Sequence, residues 1–89
     1  MKIEIIKWLD SYGVGPAWTV LDEIILEPAI IISVGFIAKE DENNVLVVPH
    51  VSSHKEEDGK DGCGDMVIPK VCIIDRVVVN CGADTVQRW

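Results

Sequence analysis

Short apolar runs, separated by clusters of glycine, proline and charge, set the pattern of this chain, and nearly all of them read as strands. From Lys2 to Asp10 isoleucine dominates and polar residues interrupt it irregularly. The adjacent Ile5 and Ile6 break strict alternation, which predicts a bulge or burial on both faces. A turn-rich connection, Ser11 to Pro16, follows. In Ala17 to Ile25 the spacing of Trp18, Leu21, Ile24 and Ile25 suits either a short helix ending before Pro28 or an irregular loop that lays Trp18 and Leu21 on one end of the fold.

Ile30 to Lys39 is the clearest strand, filled with β-branched residues and with Ile32, Val34, Phe36 and Ala38 on one face at period two. The polar turn Glu40 to Asn44 and the returning strand Val45 to Val51 complete a β-hairpin. Ser52 to Asp65 is charged, glycine-rich and longer than an ordinary hairpin turn. Pro69 cannot donate a ladder hydrogen bond, so the next apolar run divides into a strand at Met66 to Ile68, a tight turn across Pro69 to Cys72 and a last strand from Ile74 to Val79. The tail from Cys81 to Trp89 has little pattern, and Trp89 is expected to pack on a neighbour. The expectation is a mainly β fold, a small barrel of about five strands with a long loop at residues 52–65. Its predicted core is Ile32, Val34, Phe36, Leu46, Val48, Ile74 and Val78.

Length and composition narrow this further. The chain has 89 residues, room for one domain over 1–89 with a single modest core. Hydrophobic residues make up 48% and charged ones 26%, which predicts a folded chain rather than a disordered one. Eight basic against fifteen acidic residues leave a formal charge of −7, so a nucleic-acid backbone is repelled over most of the surface, while a local pocket for one small anion needs only two or three donors. The opening MKIEIIKWLD alternates charge with isoleucine and does not read as a signal peptide. Pro28 to Ala38 is too short to cross a bilayer. The odd set Cys63, Cys72 and Cys81 suits free thiols in a reducing cytosol better than a disulfide framework. Nearly half the residues are apolar in so short a chain, which together with open sheet edges predicts a homo-oligomer.

A set of motifs runs along most of the chain: Lys7-Trp8-Leu9-Asp10, Ala17-Trp18, Ile32-Ser33-Val34-Gly35-Phe36, Val48-Pro49-His50-Val51, and Gly62-Cys63-Gly64-Asp65-Met66-Val67-Ile68-Pro69. Together, over roughly Ile5 to Val79, they resemble a family of small uncharacterised proteins of tailed phages and prophages. The resemblance implies a phage origin and expression in the cytoplasm of a bacterial host; it carries no catalytic role. The order of a strand with a central glycine (Gly35), an acidic-to-asparagine turn (Asp41 to Asn44) and a final short strand is similar to SH3-like and Sm-like barrels in topology. The acidic Glu40-Asp41-Glu42 turn argues against the RNA binding that Sm-like proteins perform.

Few residue sets suggest chemistry. His50 and His54, with Cys63 and Asp65, have zinc-ligand types. However, the histidines would meet only on a helix, and on a strand they would stand about 13 Å apart. No metal or other cofactor is expected. Cys63 between two glycines lacks the nearby cation a catalytic thiolate needs, so the chain reads as a non-enzyme. The candidate ligand-binding residues are Trp8, Trp18, His50, His54, Lys70 and Arg76. Tryptophan is either core or a dominant contact at an interface. Arg76 lies inside an apolar strand, where its rigid fork suits a phosphate or a carboxylate. It either serves a small anionic ligand, with Lys70 and a loop lysine converging near a tryptophan, or pairs with a carboxylate across the sheet. The functional expectation is a phage binding protein that sequesters a small nucleotide signal or masks a host protein. A virion component and an Sm-like RNA-binding module are the alternatives.

Overall fold

A computed structural model describes residues 1–13, 16–52 and 61–80. Seven strands follow one another: β1 (Ile3–Asp10), β2 (Ala29–Glu40), β3 (Asn44–Val48), β4 (His50–Val51), β5 (Gly62–Cys63), β6 (Met66–Pro69) and β7 (Ile73–Val78). Five of them form one antiparallel sheet in the order β6-β3-β2-β1-β7, and β4 with β5 makes a separate two-stranded sheet. The fold is mainly β, and none of the described residues is in an α-helix. Nor is any described helix long and apolar enough to cross a membrane.

Turn chemistry explains the connections. Asp41 closes the β2–β3 hairpin, its Oδ1 accepting the backbone N–H groups of Asn43 and Asn44 at 2.8 Å each. Pro69 ends β6, and a single 3₁₀ turn, Lys70–Cys72, leads into β7. The apolar run after β2 is interrupted at Pro49, which separates β3 from β4. β5 lies within the stretch 52–65 expected to be all loop, pairing Gly62 with Val51 and Cys63 with His50. Residues 53–60 of that stretch, with His54, lie outside the described residues, as do Cys81 and Trp89. The one bulge in β1 falls between Lys7 and Trp8, against β7, rather than at Ile5 and Ile6.

Register decides which face is covered. Paired residues in a ladder share a face, so Ile6, opposite Ser33 and Arg76, belongs to one side, and Ile5, opposite Val34 and Val77, to the other. The covered side carries the core: Ile6, Trp8, Ile37, Val45, Val47 and Ile68, with Ile31 and Ile73 packed against them. The predicted core face is therefore shifted by one residue in β2. Ile32 and Val34 are exposed, as are Ile74 and Val78; Phe36 and Leu46 are half-buried, and Val48 alone of that set is buried.

Small residues explain the shift. Gly35 faces the core side, where an added Cβ would stand 2.8 Å from Val47 Cγ1 and 3.0 Å from the Val48 carbonyl oxygen, so β3 approaches β2 as closely as it does only because no side chain is there. Ser33, on the same side, accepts a hydrogen bond from the Trp8 indole Nε1 at 3.0 Å. Both faces of β2 are rich in isoleucine and valine, and the less apolar one is inside because these two positions fit the close approach and the indole.

Candidate functional site

Arg76 is the centre of the densest polar arrangement. β7 places it on the core side opposite Ile6, beside Glu4 of β1. The Glu4 side chain is 3% exposed, a burial that a carboxylate tolerates only with a partner. Arg76 supplies it as a two-pronged fork, Nε to Glu4 Oε1 and Nη2 to Glu4 Oε2, both at 2.8 Å. Two further hydrogen bonds reach Glu40 at the end of β2, Nη1 to Oε2 at 3.0 Å and Nη2 to Oε1 at 3.3 Å. Lys70, from the 3₁₀ turn, completes the cluster with Nζ 3.0 Å from Glu40 Oε2.

The charges tune one another. Hydrogen bonds from Arg76 and then from Lys70 pull the Glu40 carboxyl down to about 2 from its ordinary 4.5. The Arg76 guanidinium is pushed above its ordinary value by the hydrogen bonds to Glu4 and Glu40. Asp41 next to them is lowered by the backbone N–H groups of Asn43 and Asn44. With all three guanidinium nitrogens bonded to carboxylates, the arrangement ties β1, β2 and β7 together and presents no free fork to an anion.

Of the six residues singled out from the sequence, His54 lies outside the described residues, and the other five do not gather into one site. Lys70 and Arg76 do come together, through Glu40. Trp8 lies on the same face but is packed in the core with its N–H on Ser33. Trp18 is fully exposed, 103% of its reference surface, and Leu21 is exposed too; of the two readings of 17–25, the loop that buries both on one end of the fold is not seen, and the helical one is reduced to the 3₁₀ turn Leu21–Glu23. His50 is exposed on β4 opposite Cys63, itself an exposed free thiol. Among the described residues no three histidine, cysteine or acidic side chains are grouped to hold a metal. Sequence reasoning missed Glu4 and Glu40. The available signal was a lone acid within the isoleucine run of β1, matched by a lone arginine within the valine run of β7.

Two surfaces lie outside that cluster. Where β4 and β5 fold over the outer face of the sheet, Gly62 crosses Val48, and a cleft of about 450 Å³ opens beside it. Ala38, Leu46, Val48 and Val51 line it with apolar surface, and Asp61 and Asp65 border it, a lining that opposes a phosphate. The second surface is the apolar outer side of β1, β2 and β7. The connection 16–28, whose backbone is irregular apart from a 3₁₀ turn at Leu21–Glu23, exposes further apolar side chains. Comparison of the chain with family models, with curated proteins and with solved structures returns no match.

Proposed function

We propose that this chain is a non-enzymatic, phage-encoded binding protein that acts in the bacterial cytoplasm by covering a host protein, and that residues 16–28 are the segment it presents. The observation that carries this reading is the exposure of Trp18, Val20, Leu21, Ile24, Ile25 and Leu26 within thirteen consecutive residues. Contiguous apolar surface of that kind marks an interaction site, and tryptophan is enriched among the residues that dominate binding. Asp22, Glu23 and Glu27 are interleaved with them and the segment has no lysine or arginine, so the partner it fits is an apolar groove bordered by basic side chains.

Masking a protein is favoured over sequestering a nucleotide because Arg76 and Lys70, the cations a phosphate would need, are spent on Glu4 and Glu40. The body that carries the segment we read as a small SH3-like or Sm-like barrel. Supporting this are the strand order β6-β3-β2-β1-β7, the 3₁₀ turn between β6 and β7, and a core that joins Ile6 of β1 to Ile68 of β6.

The test places a photo-crosslinking amino acid at position 18 in protein expressed in the bacterial host, identifies the crosslinked protein, and measures its binding to the purified chain by calorimetry. The double variant Trp18→Ala, Leu26→Ala should bind at least about a hundredfold more weakly. Wild-type binding should weaken as salt is raised. Equal affinity of variant and wild type would overturn the reading.

A further inference from the structure

We infer that the outer face of β1, β2 and β7 is a homodimer interface, on which a second copy of this chain packs face to face and reciprocal Lys7–Asp75 pairs set the register. This goes beyond the masking role of residues 16–28 and does not depend on it.

The ladder puts the relevant side chains in rows. Val77, Ile5 and Val34 stand side by side across the three strands, and in the next row Asp75, Lys7 and Ile32 do the same. All four apolar members of these rows are exposed, Ile32 at 66%. An open sheet face of this composition is covered in stable proteins by another layer about 10 Å away. Within these rows the two charged side chains are of opposite sign, so the patch is locally neutral although the whole chain carries −7.

The two charges point to the occupant. Lys7 and Asp75 are direct cross-strand neighbours, yet they do not close an ion pair, and Lys7 has no carboxylate within reach among the described residues. Asp75 uses Oδ1 to accept the backbone N–H of Arg76 at 2.9 Å. A surface bearing one cation and one anion in the same row is complementary to itself under a two-fold rotation, as an isologous interface requires. When the axis runs parallel to the strands, between the two sheets and midway between β1 and β7, β1 of one copy lies over β7 of the other. Lys7 then stands over the partner's Asp75, and Asp75 over the partner's Lys7. Ile5 meets the partner's Val77, and the β2 stripe of Ile32 and Val34 flanks the partner's β7, whose outer edge is otherwise open.

Charge reversal tests this without an unknown ligand. Sedimentation equilibrium of the full chain at tens of micromolar, a range that detects specific association, should give a dimer for the wild type. Lys7→Asp alone and Asp75→Lys alone each place like charges in both pairs and should weaken the dimer by about a hundredfold or more. An equimolar mixture of the two variants restores two opposite-charge pairs and should recover a dimer containing one copy of each. Circular dichroism of each variant establishes that it is folded, and Ile32→Glu, which leaves both charges in place, should give a folded monomer. A monomeric wild type, a dimer unaffected by either reversal, or single variants that the mixture does not rescue would each overturn the proposal. The first of these is the result expected if residues 16–28 of the same chain cover the face instead.

Discussion

The ribbon formed by β1 and β2 has two faces built from the same residues, and they meet opposite fates. On one, Ile6 and Ile37 are enclosed with Val45 of β3 and Ile68 of β6, and Ile6 has no exposed surface at all. On the other, Leu9, Ile30 and Ile32 point outward, as do Ile5 and Val34 further along the same strands. Isoleucine therefore does not mark the core of this protein. What separates the two faces is whether other elements pack against them, as β3, β6 and the Arg76 cluster do on the first. On the second face the apolar surface remains available for association.

Removal of Arg76 is the most severe way to break the enclosed face. Arg76→Ala leaves the buried Glu4 carboxylate without its fork and should cost about 3–5 kcal/mol, read as a shift in the urea midpoint. A loss below about 1 kcal/mol, the range of an exposed pair, would mean that Glu4 is not held in a buried site.

Next in size is a matched pair of truncations. Ile68→Ala opens a cavity beside Ile6 and Val45 and should cost about 2–5 kcal/mol. Ile32→Ala, measured at a protein concentration low enough to keep the chain monomeric, should stay within about 0.5 kcal/mol. Equal costs at the two sites would erase the distinction between the faces.

Gly35→Ala sharpens the comparison at the boundary between β2 and β3. Its Cβ would press on Val47 and the Val48 carbonyl, so a loss of about 1–3 kcal/mol in thermal or urea unfolding is expected. The least effect is in titration. Because the folded Glu40 carboxyl sits at about 2, below its ordinary 4.5, its contribution to stability is complete above 4.5 and disappears only as the pH falls through about 2. The Glu40 side-chain carbon resonance should titrate with a midpoint near 2, and Lys70→Ala should raise that midpoint while Arg76 still holds it below 4.5.

Much of the strand pattern could be read from the residues because turn chemistry is local. Asp41 with Asn43 and Asn44, and Pro69 before a 3₁₀ turn, act within four residues of themselves, and the strand ends they set fall within one residue of the pattern, although the expected strand Val45 to Val51 is broken at Pro49 into β3 and β4. The choice of face was not local. Ile32 and Val34 are more apolar than Ser33 and Gly35, yet the latter pair faces the core because β3 and Trp8 approach there, and neither approach is written within β2. The pairing of Arg76 with a carboxylate across the sheet was among the readings its residue type allowed. The identity of the partners was not, since Glu4 lies 72 positions away and only the β1–β7 register brings it near.

That separation bears on the order in which the chain acquires its structure. β1 is made first and can pair with β2 as soon as residues 29–40 are available, and β3 can then join by a short hairpin. Its other flank stays open until β7 arrives, and up to that moment Glu4 has no arginine to meet it. Non-local closures of this kind carry a large loop entropy and slow the final step of folding. A chain stalled during synthesis before residue 76 would hold the four-stranded sheet β6-β3-β2-β1 with an uncapped β1 edge, a state prone to pair with the same edge of another nascent copy.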